Sequence, residues 1–519
     1  MYHVETIDIK MGTREHAYLD FACLCANNMY NVANYYIRNL MTGLKKDAGC
    51  RTPNEEEVIR TVRESIPVAN AALLKKYELK VKNIMADKSI PYDERLEKAG
   101  KVKHVRFAMP TAEEWFAGCS LLDTVFRYTD NLDYTAHHSH LVQNAIKDCT
   151  EAWSSFFKQP IEGNGMGRKH IPGYRKKGGR STAVLSNVAC VIKHGQLLFP
   201  FAKFPGDDKR RRIVVSVSRV PHASKDKLIE VRVVPYFGSY QIQIVTDDGI
   251  KETDILPDEE ALIRKDGTPA GVMMLDPGLT NFATMTDNKG NAPIIIKGGA
   301  LKARNQWFNK QMAYLKSEQM RSRPKNERSK TSLPSTKRMH AVSRSREAFI
   351  KDSFYKYAHF IFRTMQERGL TYLIVGNNNG QKQNIHMGTK NNQAFVSVPF
   401  VRFNSILAAV APKYGIRVII QEESYTSKAC FAAKDVIPVY GEKGADKVTF
   451  SGSRVKRGLY KQKDGKVLNA DVNGSANIGR KYDERIFSDV KDLSYLYGNI
   501  AVITHADIAG KSACKTKRM

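Results

Sequence analysis

The apolar pattern changes period several times along the chain. Residues 3–10 (His-Val-Glu-Thr-Ile-Asp-Ile-Lys) alternate as a half-buried strand does. Residues 17–41 then carry Phe21, Leu24, Met29, Val32, Tyr36 and Leu40 at helical spacing, which predicts one apolar face of a helix. Charge-rich helical sequence continues to about Lys158, with helices expected within 55–64, 71–84, 111–128 and 140–157. Between 191 and 246 the period drops to two. Strands are predicted at 196–200, 212–219, 228–234 and 240–246, with Gly238-Ser239 as a hairpin turn. These make a small barrel or sheet, and the isolated first strand is expected to pair with it. The helical region would then be an insertion into a β domain.

Residues 268–480 read as an α/β domain. The run from Val272 to Leu275 predicts a buried strand that ends in Asp276, where Pro277 and Gly278 stop it. A second strand is predicted at 281–286. Asp287-Asn-Lys-Gly290 turns the chain into a third at 293–297. The stretch 300–368 is helical but interrupted by Pro324 and Pro334, which predicts two helices with a connector inside the strongly basic segment 321–346. The second helix presents Ile350, Phe354, Tyr357, Ile361 and Met365 on one face, and Gly369 stands where a helix-ending glycine belongs. A strand at 371–375 follows. Pro399 opens a helix with Phe403, Leu407 and Val410 inward, and a strand at 416–421 ends in Glu422-Glu423. After a polar loop with Gly441, Gly444 and Gly452, residues 468–478 read as an acidic helix start rich in small residues. The last 40 or so residues have no clear pattern.

Charge changes this picture most. The 519 residues carry 82 Lys and Arg against 53 Asp and Glu, a net charge of +29, and the basic residues recur in several separate segments. That distribution predicts a protein lying along a polyphosphate over many contacts. The segment 163–180 mixes Arg168, Lys169, Arg175, Lys176, Lys177 and Arg180 with glycines and Tyr174, a composition suited to clamping a nucleic-acid backbone. Lys209-Arg210-Arg211-Arg212 enters a predicted strand, and Arg321 and Arg323 open the second basic stretch. The eight cysteines form no C-x2-C pair, so no zinc ribbon is predicted by spacing, and the pattern suits a reducing compartment. The start of the chain has no signal-peptide apolar core, and no segment approaches about 18 uninterrupted apolar residues. A soluble protein of the cytoplasm or nucleoid, without a membrane partner, is expected.

The candidate chemistry lies in three carboxylate positions at strand ends or helix starts: Asp276, Glu422 or Glu423, and Asp471. A buried strand that ends in Asp and continues as a hairpin is how RNase H-like nucleases present their first metal-binding carboxylate. Phosphodiester hydrolysis with two divalent ions, about 3.5–4 Å apart, needs several hard oxygen ligands converging on one point, and oxygen-only ligation favours Mg²⁺ or Mn²⁺. Each position alone could be a helix cap. Other motifs carry less. Ala509-Gly-Lys-Ser512 ends like a phosphate-binding loop, but His505 stands where its first glycine belongs. His137-His-Ser-His140 could clip a metal, though a solvated turn is expected there, and His386 and His505 are expected to be structural.

Longer strings resemble a known family. Glu422-Glu-Ser-Tyr-Thr-Ser-Lys428, Ser451-Gly-Ser-Arg-Val-Lys-Arg-Gly-Leu-Tyr460 and Asn469-Ala-Asp-Val-Asn-Gly-Ser-Ala-Asn-Ile478 resemble the C-terminal half of TnpB, the transposon-encoded RNA-guided nuclease related to type V CRISPR effectors and Fanzor proteins. Ile374-Val-Gly-Asn-Asn-Asn-Gly-Gln-Lys382 and Asn391-Asn-Gln-Ala-Phe-Val-Ser-Val-Pro-Phe400 resemble one branch of it. Asn31-Val-Ala-Asn-Tyr-Tyr-Ile-Arg38 and Pro172-Gly-Tyr-Arg-Lys-Lys177 extend the resemblance upstream.

The resemblance implies a multidomain α+β and α/β chain: a β-barrel wedge domain with an inserted helical recognition lobe, then an RNase H-like RuvC nuclease domain. On this chain it implies a first wedge strand at 1–12, the helical lobe at 13–180 and the barrel at 181–262. The nuclease domain would span 268–480, with a helical insertion at 300–368 and a ribbon at 424–467, before a tail at 481–519. Two departures matter. The family's usual second catalytic glutamate follows the Ile-Val strand, where this chain has Gly376 or Asn377. Some branches resemble this chain in carrying it on the neighbouring strand, where Glu423 fits best and Glu422 is the alternative. Adjacent strands are about 4.8 Å apart, a gap that a side chain covers. Of the ribbon's four cysteines only Cys430 remains, so no structural zinc is expected. Asp276, Glu423 and Asp471 would hold Mg²⁺ or Mn²⁺. Guide RNA and double-stranded target DNA would be the partners, with Lys382 and Lys428 among the contacts. The rival readings are a guide-dependent binder that does not cut, a guide-independent structure-specific nuclease, and a tyrosine transposase. The last wants two histidines around an apolar residue in a strand, which His138-Ser-His140 does not supply.

Overall fold

The computed structural model describes residues 1–519 except 130, 159–169, 205–206, 208, 325–332, 378–397, 443, 457 and 511–519. The chain forms two compact units, Met1–Ile250 and Lys251–Met519.

The first unit begins with strand β1 (Tyr2–Ile9), followed by helices α1 (Arg14–Gly43), α2 (Pro53–Ala86), α3 (Tyr92–Gly100), α4 (Cys119–Tyr128), α5 (Leu132–Thr135) and α6 (Ser139–Lys158). The β region follows: β2 (Ala183–Ser186), β3 (Val191–Lys193), β4 (Gln196–Leu198), β5 (Val214–Ser216), the short α7 (Pro221–Lys225), β6 (Lys227–Tyr236) and β7 (Ser239–Asp247). Thr13 caps α1 by accepting from the His16 N–H, and Leu19, Ala22, Ala26, Met29, Ala33, Ile37 and Leu40 form its buried face. The two stretches at 55–64 and 71–84 run together as α2. Its Pro67 faces solvent while Val58, Ile59, Val62 and Ile66 pack inward, so tertiary packing offsets the missing backbone bond. The expected helix at 111–128 is confined to 119–128. Pro110 precedes an extended approach that Trp115 and Phe116 pin to the core.

β1 pairs with β7 along its whole length, from Tyr2 opposite Asp247 to Ile9 opposite Tyr240. Six helices thus separate the first strand from the rest of its own sheet in sequence. The expectation of a barrel is corrected. The strands form an antiparallel four-stranded sheet, β1-β7-β6-β2, and a separate three-stranded sheet, β3-β4-β5. Hydrogen bonding stops at β1 and β2, and four strands are too few to curl onto themselves, so no closed barrel exists among the described residues.

The second unit is built on a six-stranded sheet. Its strands are β8 (Val272–Pro277), β9 (Asn281–Asp287), β10 (Ile294–Lys297), β11 (Tyr372–Asn377), β12 (Arg417–Glu422) and a late addition, β16 (Ala501–Ile503). The order is β12-β11-β8-β9-β10-β16. β8, β9 and β10 are an antiparallel meander, β11 and β12 run parallel to β8, and β16 adds parallel to β10 from the tail that sequence pattern left unassigned. Between β10 and β11 lie α8 (Gly299–Arg321) and α9 (Lys337–Glu367), the expected interrupted pair. α10 (Phe400–Val410) precedes β12. A small sheet follows, β13 (Ser453–Lys456), β14 (Leu459–Lys461) and β15 (Val467–Asn469), leading directly into α11 (Ala470–Tyr482) and finally the short α12 (His505–Ile508).

The unbroken apolar run in β8 is explained by burial on both faces. Met273 and Leu275 pack with Phe354, Tyr357 and Ile361 of α9 and Phe403 of α10. Val272 and Met274 pack with Ile478 of α11 and Ile374 of β11. Helices therefore cover both sides of the sheet, while among the described residues the ends of β8 and β12 line a crevice. Crevices at such strand ends are where α/β sheets take ligands.

Candidate active site

Asp276 stands at the end of β8, with β11 beside it in register Leu275 to Val375. β12 is next, with Gly376 opposite Gln421 and Asn377 opposite Glu422. Glu423 is the first residue beyond β12. A Cβ placed on Gly376 would lie 2.3 Å from Glu423 Oε2 and 2.6 Å from the Ile478 side chain. The Glu423 carboxylate thus fills the space over β11 that a side chain at 376 would need. Of Gly376 and Asn377, it is Gly376 that this carboxylate overlies.

The neighbouring Glu422 is committed elsewhere. Its carboxylate pairs with the Lys481 ammonium, which is 5% exposed and also donates to the backbone oxygens of Ser424 and Pro438 at 2.8 and 3.0 Å. Burial pushes the Glu422 carboxyl up, but donation from Lys481 and from the Ser424 hydroxyl and N–H outweighs it and holds the group below the usual range. Glu423 is the reverse case. Burial, with the Glu422 charge behind it, raises its carboxyl to about 7, and its Oε2 is buried without a hydrogen-bond partner. Asp276 is raised well above the ordinary value, first by burial and then by the charges of Glu423 and Asp471.

Asp471 sits in the first turn of α11. Asn469 caps that helix by accepting from the N–H groups of Asp471 and Val472. One Asp471 oxygen accepts from Asn281 Nδ2 at 2.7 Å and the other from the Arg454 guanidinium at 2.9 Å. Each polar or small residue after it does something specific. Asn473 accepts from the Phe431 N–H at 3.0 Å and donates to the Ala429 carbonyl at 2.7 Å. Asn477 donates to the carbonyls of Thr426 and Ala429. Ser475 donates to the Met274 carbonyl at 2.9 Å. Gly474 lets the helix approach β8, because a Cβ there would come within 2.8 Å of Asp276 Oδ2. The helix start therefore delivers one carboxylate, makes room for a second, and clamps the 426–431 loop that follows the third.

Asp276, Glu423 and Asp471 line one cleft of about 720 Å³, together with Asn281, Lys297, Tyr425 and Arg454. Tyr425 holds a left-handed backbone conformation (φ 62°), which is strained for a tyrosine and occurs next to functional sites. The donor set fits a divalent cation. It is all oxygen, one atom of it is an orphaned buried acceptor, and burial first, with neighbouring carboxylates second, raises two of the three carboxyls. The trio is open rather than tight. Among the described residues, a group of three whose donor atoms all lie within 4.8 Å is His3, His222 and Asp226 instead. Those two imidazoles are stacked, with centroids 3.9 Å apart and planes 13° from parallel, so no nearby point lies in the plane of both rings. Each ring bonds its own carboxylate, His3 to Asp248 at 2.9 Å and His222 to Asp226 at 2.7 Å. As arranged, the pair does not share an ion.

Two family models match this unit: OrfB_IS605, described as a probable transposase, over residues 258–381, and the Cas12f1-like TNB domain over 400–478. Over those residues the chain is similar to the TnpB-like family. Solved structures similar to this chain include a Cas12f1–sgRNA–target DNA complex (13% identity, 93% of this chain and 100% of that one, TM-score 0.28). A CRISPR–Cas12f ternary complex (12%, 82% and 81%, 0.28) and an AacC2c1–sgRNA binary complex (10%, 92% and 89%, 0.36) are also similar. Scores this low leave the family assignment to the two models. No curated protein matches.

The basic residues singled out in sequence do not all lie in this cleft. Arg168, Lys169 and Lys382, with His386, fall outside the described residues. Lys176 and Lys177 are exposed, but their neighbours are turned to the protein. The Arg175 guanidinium lies 3.6 Å from the Tyr30 ring centroid and pairs with Asp148, and Arg38 lies over Tyr174 at 4.9 Å. Asn27, Asn31 and Asn34 of α1 bond the backbone of 172–176, so this segment is fastened along one helix. Arg210 is exposed, and Arg211 pairs with Asp207 at 2.7 Å. Arg321 ends α8, with Arg323 two residues beyond it. Lys428 lies beside the cleft, 5.4 Å from the Tyr425 ring.

The histidine run is corrected in part. His137 is buried against Tyr18 and Phe21, its imidazole pushed down to about 3 by burial, rather than solvated. His505 bonds the Tyr357 hydroxyl at 3.2 Å, a packing role. In the ribbon segment, Cys430, Tyr460, Leu468 and Ala470 form a small apolar cluster. Sequence reasoning missed Asn281, Lys297, Arg454 and Lys481. Their only signal is polarity at strand and loop positions, which many surface residues share. Among the described residues no helix is long and apolar enough to cross a membrane.

Proposed function

We propose that this chain is an RNA-guided DNA endonuclease whose RuvC-type centre consists of Asp276, Glu423 and Asp471. The observation that carries the assignment is the Glu423 carboxylate, unpartnered and lying over Gly376 in the place of the missing family glutamate. The sheet order supports an RNase H-like reading, since a three-strand meander is extended by two parallel strands on the side of its first strand. The net charge of +29 supports guide RNA and target DNA as partners.

Divalent cations, Mg²⁺ or Mn²⁺, held by the three carboxylates would supply an activated water and stabilise the leaving oxygen of a phosphodiester. The chain's own groups do the rest. Asp276 sits at the cleft floor, and Glu423 and Asp471 approach from β12 and α11. Arg454 and Lys297 add positive charge to the same cleft, which favours a polyanion there. Glu422 is assigned a structural role through Lys481. A short flanking duplex motif would be read by the protein and the target by base pairing. The tyrosine-transposase reading fails on the histidines, because Ser139, between His138 and His140, begins α6 rather than lying in a strand.

The test is to purify the protein with RNA co-expressed from its own locus and offer it plasmid bearing the guide-complementary sequence. Cutting that requires Mg²⁺, stops with EDTA and is lost after RNase treatment is expected. Cutting indifferent to RNase would move the assignment to a guide-independent nuclease.

A further inference from the structure

We propose that Asn281 and Lys297 are positioning residues of the centre, a two-residue relay that sets the orientation of the Asp471 carboxylate for cation binding. The inference deepens the nuclease reading above and rests on it. Lys297 Nζ donates to Asn281 Oδ1 at 2.8 Å, and Asn281 Nδ2 donates to Asp471 Oδ2 at 2.7 Å. An amide can be built either way round, but here its neighbours fix it. An ammonium only donates, so the amide oxygen must face Lys297 and the NH2 must face the carboxylate. The lysine thereby determines which edge of Asn281 meets Asp471.

The strand register shows how the two residues meet. β10 pairs with β9 regularly through Ile294–Met285, Ile295–Thr284 and Ile296–Ala283. Continued, that register would set Lys297 opposite Phe282, which is 1% exposed in the apolar core. Instead the register shifts by one, Phe282 becomes the extra residue, and Lys297 faces Asn281. Bulges beside active sites re-aim side chains in this way. Ile294 and Ile296 pack in the apolar core, so Lys297 lies on the opposite, cleft-side face of β10, while the shift turns Phe282 into the core and brings Asn281 opposite the ammonium. With Arg454 on the second oxygen, Asp471 is held from two sides by groups on β9 and by the strand β13.

Carboxylate ligands need such support, and losing an outer partner typically costs roughly 10- to 100-fold in metal affinity. The experiment is Mn²⁺ titration of the purified full-length protein, followed by electron paramagnetic resonance, for wild type, Asn281→Ala, Lys297→Met and Asp471→Asn. Circular dichroism confirms that each variant is folded. Cleavage is measured alongside against Mg²⁺ concentration. Asn281→Ala should weaken Mn²⁺ binding roughly 10- to 100-fold, and Lys297→Met should weaken it less, because the amide remains. In both, cleavage should recover at high Mg²⁺, so the half-saturating concentration moves more than the limiting rate. Unchanged or tighter Mn²⁺ binding in both variants, with a wild type that cuts, overturns the relay and leaves the nuclease reading standing. A wild type with no Mn²⁺ site sensitive to Asp471→Asn overturns both.

Discussion

Two adjacent glutamates, Glu422 and Glu423, differ in everything except sequence position. One is tied to a lysine and to the hydroxyl and N–H of Ser424, and the other points an orphaned oxygen into a cleft with two aspartates. Removing each should therefore fail differently. Glu423→Gln is expected to abolish cutting by at least 100-fold with little loss of stability. Glu422→Ala leaves the buried Lys481 ammonium without its counter-charge and should lower unfolding free energy by about 1–3 kcal/mol, read by urea denaturation, with cutting retained in whatever fraction is folded. Protonation supplies a second contrast. Glu423 has a folded-state value raised to about 7, against roughly 4.3 when unfolded. A raised carboxyl contributes stability present below the unfolded value and lost as pH rises through the folded one. Metal-free protein should thus lose melting temperature between about pH 4.3 and 7. Glu423→Gln should flatten that slope, and added Mg²⁺ should stabilise most at the alkaline end.

At the scale of elements, the centre depends on α11 lying close against β8. Gly474→Ala puts a methyl within 2.8 Å of Asp276 Oδ2 and must push either the helix or the carboxylate away. Cutting should fall at least tenfold, while far-ultraviolet circular dichroism stays unchanged. Equal activity in Gly474→Ala would show that the close approach is not needed. The same helix marks where reading the sequence stopped. β8, its terminal Asp276 and the helix starting near Asp471 were legible, because a double-sided apolar run and a cluster of small residues leave marks in one dimension. Asn473 and Asn477, which hold the 426–431 loop, left none, since their partners lie more than 40 positions away. The bulge that brings Asn281 opposite Lys297 is equally silent, because hydrophobic alternation does not reveal a one-residue register shift. The barrel expectation fails for a related reason. Alternation identifies strands but not whether the last one meets the first.

For the whole molecule, the excess of positive charge spreads over both units rather than a tail. Several of its most suggestive members, Arg175, Arg211 and Arg180, spend their charge on Asp148, Asp207 and Asp20. Binding should therefore draw on fewer phosphate contacts than the residue count suggests, though still many. A plot of log affinity for guide RNA against log salt should be steeply negative, and Lys176→Ala with Lys177→Ala should reduce its slope by about one to two units. An Arg175→Ala change should act through lost packing on Tyr30 and show in melting temperature instead. Most direct for the whole account is cleavage of a plasmid library with randomised flanks by the RNA-loaded protein, with Mg²⁺ or EDTA, beside Asp276→Ala, Glu422→Ala and Glu423→Ala. The account predicts Mg²⁺-dependent cuts at a defined flank, lost in Asp276→Ala and Glu423→Ala and retained in Glu422→Ala. Tight RNA-dependent DNA binding with no cutting by the wild type would contradict it.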